Sequence, residues 1–130
     1  MLSVIIPASN EAGYIGACLT HLCASDAPAV QVVVVANGCR DATADVARQT
    51  LAQRLPPGWT STVLELAKGS KPGALNAGDA VATGAARVYL DADVCVSPGL
   101  IAAISDALAT DTPRYASGTP VIPPPASAHG

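Results

Sequence analysis

The sequence predicts an α/β domain, a mostly parallel sheet with helices on both faces, and three observations carry that expectation. Short β-branched runs recur, at Ser3-Val4-Ile5-Ile6-Pro7 and again at Gln31-Val32-Val33-Val34-Val35. Strands buried on both faces read as continuous apolar runs of this kind. Between the runs, apolar residues fall at i, i+3, i+4 and i+7, the spacing of a helix with one buried face. The connections are short and rich in Gly, Pro, Asn and Asp, so strands alternate with helices as they do in parallel sheets.

Taken in order, the first strand is Ser3 to Pro7. A helix from Glu11 to about Cys23 follows, with Ile15, Cys18, Leu19 and Leu22 on its inner face. Ser9 or Asn10 is the expected cap of that helix. The second strand, Gln31 to Val35, turns through Ala36-Asn37-Gly38-Cys39-Arg40 into a helix from about Asp41 to Leu55. Ala44, Ala47, Leu51 and Leu55 form its inner stripe. Thr60 to Leu66 is a weaker third strand. Pro72 suits the first turn of the next helix, which Gly84 is expected to close. A short strand then ends in Asp91-Ala92-Asp93, and Ser97-Pro98 opens a helix with Leu100, Ile101, Ile104 and Leu108 inward. Tyr115 to Ile122 is a candidate fifth strand. Residues 1–122 are thus expected to form the domain, and 123–130, beginning Pro123-Pro124-Pro125, a disordered Pro-rich tail.

Composition excludes several function classes. With 130 residues, 50% hydrophobic and 13% charged, the chain suits one globular domain burying roughly two-thirds of its unfolded surface. Phe is absent, so the core must be aliphatic. A net charge of −3 without a basic cluster argues against nucleic-acid binding through counterion release. Cys18, Cys23, Cys39 and Cys95 form no Cys-x-x-Cys pair, and His21 and His129 complete no zinc spacing, so each thiol is expected to be buried and reduced. The N-terminal apolar run lacks a basic region and stops at Pro7, unlike a signal peptide, and the run from Val32 to Ala36 is too short to span a bilayer. A cytoplasmic protein is expected, with peripheral attachment at the inner face of the membrane left open.

The polar residues that follow the strands carry the chemistry. In parallel sheets ligands sit at the carboxyl ends of the strands. Asn10-Glu11 follows the first strand, Asn37 the second, Lys71 the third, and Asp91 with Asp93 the fourth. In extended backbone Asp91 and Asp93 would point to one side and could converge on a hard cation. The ordinary alternative is a pair of solvated turn residues. Lys71 at a helix start, beside backbone N–H groups, suits a phosphate oxygen, although a solvated lysine looks the same in sequence. No Gly-x-Gly-x-x-Gly follows the first strand, and Gly69-Ser70-Lys71-Pro72-Gly73 is not a phosphate-binding loop of the Gly-x-x-x-x-Gly-Lys-Ser/Thr type, so dehydrogenase and ATPase readings fail.

Four blocks in order resemble the family 2 glycosyltransferases. Ser3 to Glu11 resembles their opening strand and Pro-x-x-Asn-Glu loop, and Val33 to Thr43 their second strand, Gly turn and Asp-x-Thr helix start. Lys71-Pro72-Gly73-Ala74-Leu75-Asn76-Ala77-Gly78 is similar to their Lys-x-x-Ala-Leu-Asn-x-Gly block, and Val88 to Asp93 to the strand carrying Asp-x-Asp. The resemblance implies the Rossmann-like GT-A fold and a nucleotide-diphosphate sugar donor. It places Pro7, Ser9 and Glu11 along the nucleoside, Asn37 against the base and Lys71 toward the diphosphate. Asp91 would meet the ribose or a metal, Ala92 would contribute backbone, and Asp93 would hold Mn²⁺ or Mg²⁺. The implied reaction is metal-assisted sugar transfer, with inversion, to a sugar, lipid or polysaccharide acceptor.

The chain also departs from the pattern. Ser9 stands where the family has an aromatic, and Ala36-Asn37-Gly38-Cys39 where it has Asp-Asp-Gly-Ser, which leaves UDP, GDP and dTDP all open. The acceptor half and its general base would follow the last residue of this chain, and no Asp or Glu follows Asp111. The expectation is therefore a truncated, donor-binding half with no catalytic base of its own, prone to self-associate through apolar surface around Tyr115 to Ile122. The alternative is a non-catalytic or degenerate nucleotide-binding module.

Overall fold

The computed structural model describes residues 1–108 and 115–117. Along the chain lie β1 (Leu2–Ala8), α1 (Ile15–Cys23), β2 (Val30–Asn37), α2 (Thr43–Arg54), β3 (Thr60–Leu66), α3 (Lys71–Val81), β4 (Ala86–Tyr89), α4 (Leu100–Leu108) and β5 (Tyr115–Ser117). The strands form one sheet in the order β3-β2-β1-β4-β5, with every pair parallel. Residues 118–122 and the expected tail, 123–130, lie outside the described residues. Among the described residues, no helix is long and apolar enough to cross a membrane.

The valine run of β2 explains the layering. Val32 and Val34 face one side with Val4 and Ile6 of β1, where Ile15, Leu19 and Leu22 of α1, Ala47 and Leu51 of α2, and Ile101 and Ile104 of α4 cover them. Val33 and Val35 face the other side with Ile5, where α3 packs through Ala74. Both faces are thus covered, as the unbroken apolar runs predict. The chain moves outward from β1 to β2 to β3 and then returns to place β4 beside β1. That reversal brings α3 to the face opposite α1 and α2 and opens a crevice at the carboxyl ends of β1 and β4.

At the amino end of the sheet, buried polar groups tie the return crossover down. Ser3 Oγ donates to Gln31 Oε1 at 2.7 Å and accepts from the Gly84 N–H at 2.8 Å. Gln31 Oε1 also accepts from the Thr83 N–H at 2.8 Å, while its Nε2 donates to the Val81 carbonyl at 3.0 Å. A Cβ on Gly84 would lie 2.6 Å from Ser3 Oγ and 2.7 Å from the Met1 carbonyl oxygen. Gly84 is therefore a close-approach glycine on the way into β4. It does not close α3, which ends at Val81.

Several element ends differ from expectation for identifiable reasons. Neither Ser9 nor Asn10 caps α1, which starts at Ile15 without a side-chain cap. Asn10 instead adopts φ 55, and its Oδ1 accepts from the Arg40 N–H at 2.8 Å. The helix α2 starts at Thr43, whose N–H donates to Asp41 Oδ1 at 3.0 Å. The strand β4 ends at Tyr89, short of the aspartates. The thiols also divide: Cys18 and Cys23 are buried, Cys39 is partly exposed and Cys95 is exposed, and all four are free.

Candidate nucleotide site

A cleft of ≈ 310 Å³ opens at the carboxyl ends of the strands, and of the residues singled out there Pro7, Ser9, Glu11, Asn37, Lys71, Asp91, Ala92 and Asp93 line it while Asn10 does not. Pro7 comes from the end of β1, Ser9 and Glu11 from the loop after it, Asn37 from the end of β2, Lys71 from the start of α3, and Asp91, Ala92 and Asp93 from the loop after β4. The sequence reading missed one lining residue, Ala8, which continues β1 beyond Pro7 and offers its carbonyl to other loops.

The first loop is braced against the second. The Glu11 N–H donates to Thr43 Oγ1 at 2.9 Å, and the Ala12 N–H to Asp41 Oδ2 at 3.2 Å. The Thr43 hydroxyl in turn donates to Asp41, and this bond, with backbone donors, holds the exposed Asp41 carboxyl below the usual aspartate range. The Asp-x-Thr pair of the sequence is therefore the buttress of the Glu11 loop. Signals for this role were legible only as a motif, because the partners lie about thirty residues apart in sequence.

Asp91 and Asp93 sit on a turn and not on extended backbone. The Val94 N–H donates to the Asp91 carbonyl at 3.0 Å, which turns the chain directly after β4. Ala92 is 2% exposed and its methyl group belongs to the core, so only its backbone faces the cleft. Beneath the turn, the Cys18 thiol approaches the Asp91 carbonyl at 3.8 Å. Burial and the neighbouring Cys95 and Asp93 push that thiol up to about 12, so Cys18 is a packing group at neutral pH.

The charges in the cleft are mostly negative. Lys71 Nζ lies 3.0 Å from Asp91 Oδ1. Asp93 has no hydrogen-bond or ion-pair partner among the described residues. Partial burial and then the nearby Asp93, Asp41 and Asp91 raise the Glu11 carboxyl above the usual glutamate range. A free anion entering here would meet net repulsion.

Two expectations change in detail. The start of α3 is not an open nest of N–H groups: Pro72 has none, and Gly73 and Ala74 both donate to Ser70, the helix cap. Attraction of a phosphate to this end therefore falls to the Lys71 side chain. Asn37 is 4% exposed, and its carboxamide is turned into the protein, where it bonds to Ala8, Val35 and Ser70.

The donor set can be tested against a metal. Among the described residues no group of three or more His, Cys, Asp or Glu side chains could hold an ion. A Mg²⁺-type cation, however, is commonly bound by one or two carboxylates together with substrate phosphates. Asp93, with Asp91 once Lys71 moves aside, fits that partial set of hard oxygen ligands.

The sequence model of Glycosyl transferase family 2 matches residues 3–128. The chain belongs to that family. Among solved structures, this family 2 chain is similar to S. aureus TarS. It matches TarS 1–349 in complex with UDP at 26% identity and a TM-score of 0.70, over 83% of this chain and 32% of that one. The same fragment in complex with UDP-GlcNAc matches at 26% identity and a TM-score of 0.68, over 83% and 32%. TarS itself matches at 26% identity and a TM-score of 0.69, over 85% of this chain and 20% of that one. The chain thus spans about a third or less of the TarS chains it matches. No curated protein matches it. The parallel sheet with helices on both faces is the GT-A, Rossmann-like arrangement of those structures.

Proposed function

We propose that this chain binds the nucleotide-sugar donor of a glycosyltransferase, with UDP as the nucleotide and a divalent cation, Mg²⁺ or Mn²⁺, that the Asp91–Asp93 turn would hold. The observation that carries the reading is the convergence of four strand ends on one cleft that contains every residue to which the family resemblance assigns a place along the donor or metal. The TarS structures hold UDP and UDP-GlcNAc, which favours UDP over GDP or dTDP.

In this reading the nucleoside lies along Pro7, Ala8 and Ser9, at the ends of β1 and β2. Lys71 leaves Asp91 and turns to the phosphates, an exchange of one ion pair for another. Asp93, with Asp91 beside it, would hold the cation. When bound, the cation neutralises charge that grows on the leaving diphosphate as the sugar–phosphate bond breaks. The acceptor oxygen forms the new bond at the anomeric carbon from the opposite side, which inverts it, and the hydroxyl proton passes to a base. No carboxylate of the described residues is assigned that last role. The acidic cleft supports the cation requirement, because a nucleoside diphosphate and the Glu11, Asp91 and Asp93 carboxylates repel one another without it.

Calorimetric titration with UDP, GDP and dTDP, with and without Mn²⁺, tests the reading. UDP should bind tightest and only with metal, and Asp93→Ala should lose most of that metal-dependent binding. Metal-independent binding, or no binding by folded protein, would sink it.

A further inference from the structure

The four loops of the cleft are not equally free. Asn37 ends β2 with its carboxamide buried, and both of its polar atoms are engaged within the protein. Nδ2 donates to the Ala8 carbonyl at 3.1 Å and to the Val35 carbonyl at 3.4 Å. Oδ1 accepts from the Ser70 N–H at 3.1 Å. One side chain therefore joins the end of β1, the end of β2 and the loop that leads into α3.

The backbone next to it makes the same connection. The Gly38 N–H donates to the Leu66 carbonyl at 2.8 Å, and Gly38 has φ +60, a conformation that favours glycine. A Cβ on Gly38 would lie 2.6 Å from both Cα and N of Gly69. The two loops thus meet backbone to backbone, and a side chain at Gly38 would part them. Ser70, fixed by Asn37, caps α3: its Oγ accepts from the Gly73 N–H at 3.1 Å and its carbonyl from the Ala74 N–H at 2.9 Å. The next residue is Lys71.

From this chain of contacts we infer that Asn37 is a positioning residue for the phosphate end of the cleft and not a reader of the nucleotide base. It acts through Ser70, whose place sets where α3 begins and so where the Lys71 side chain departs. A carboxamide that turned outward to a base edge would leave the Ser70 N–H without its partner and the Ala8 carbonyl with only the Cys39 thiol, at a cost comparable to what the base contact returns. The inference rests on the donor-site reading above.

Wild type and Asn37→Ala are titrated with UDP, GDP and inorganic pyrophosphate, each with Mg²⁺, alongside amide hydrogen exchange at Ser70. The variant should weaken all three ligands by one common factor, about tenfold, and speed exchange at Ser70. A loss of stability alone would not produce that common factor in folded protein. Unchanged pyrophosphate binding with a smaller UDP-to-GDP preference would overturn the inference. Should Asn37→Ala fail to fold, the wild type decides by NMR. The Asn37 side-chain amide signals should move alike with UDP and with pyrophosphate, and a shift seen with UDP alone would count against the positioning role. Wild type that binds no nucleotide would overturn the donor reading and this inference with it. Wild type that binds, with Asn37 sensing the base, would overturn only the inference.

Discussion

The two ends of this sheet both gather polar side chains, and they use them in opposite ways. At the amino end, Ser3 and Gln31 are buried, and each polar atom is matched by a donor or acceptor from Val81, Thr83 or Gly84. At the carboxyl end, Ser9, Lys71 and Asp93 are exposed, and Asp91 is held only by an exposed lysine. The first arrangement fixes the return crossover from α3 into β4. The second leaves polar groups addressable from solvent at the point where the strand order reverses. Polar residues inside an α/β domain are thus not equivalent evidence of function. Those whose bonds close on one another hold the fold, and those left open in the crevice are available to a ligand.

Substitutions at the two ends should separate stability from binding. The largest loss of stability is expected for Gln31→Ala, which leaves the Ser3 hydroxyl, the Thr83 N–H and the Val81 carbonyl without their partner. Denaturant unfolding should register a drop of about 2–4 kcal/mol, while nucleotide affinity per folded molecule stays the same. Asp93→Ala reverses the pattern. Its stability should stay within about 0.5 kcal/mol of wild type, as for an exposed unpartnered side chain, while metal-dependent binding falls at least about tenfold. Lys71→Met lies between them. The Lys71–Asp91 pair is exposed, so its loss should cost no more than about 1 kcal/mol of stability. UDP affinity should fall and become less sensitive to salt.

A smaller effect comes from Glu11. Its carboxyl is raised in the folded protein by partial burial and by Asp93, Asp41 and Asp91. The folded state therefore holds the Glu11 proton more tightly than the unfolded chain does. That contribution to stability is present below the usual glutamate range and is lost as pH rises through the raised value. Glu11→Gln should accordingly raise the melting temperature slightly at pH 7 and make little difference near pH 4. The smallest perturbation is chemical. At pH 7 a maleimide should label Cys39 and Cys95 in the folded protein and spare Cys18 and Cys23, whose thiols burial pushes up to about 12 and about 11. Intact mass should show two adducts.

Much of the carboxyl-end cleft was legible in the sequence, because it depends on strand ends. The valine run of β2 and the β-branched run of β1 announce buried strands, and a parallel sheet brings the residues that follow them together. Thr60–Leu66 was legible too, as a weaker strand, and it proves to be the half-exposed edge of the sheet. What escaped was set by contacts distant in sequence. The φ 55 turn at Asn10 is held by Arg40, the inward turn of Asn37 by Ala8 and Ser70, and the satisfied N-terminus of α3 by Ser70 and Pro72. The extended geometry expected for Asp91 and Asp93 failed because β4 stops at Tyr89, and the turn that follows is closed by Val94. The Ser3–Gln31 network at the amino end gave no signal, since a serine and a glutamine inside apolar runs look like ordinary strand residues. Periodicity shows which face is buried, but not which polar atom meets which across more than twenty residues.

The contrast between the two ends is tested most directly by NMR mapping of UDP with Mg²⁺ on the wild-type chain. Amide shifts should cluster at residues 8–11, 70–71 and 91–93, with Ser3, Gln31, Thr83 and Gly84 unmoved. Shifts at the amino end, or spread evenly over both ends, would contradict the account, because the ligand would then be binding somewhere other than the crevice between β1 and β4.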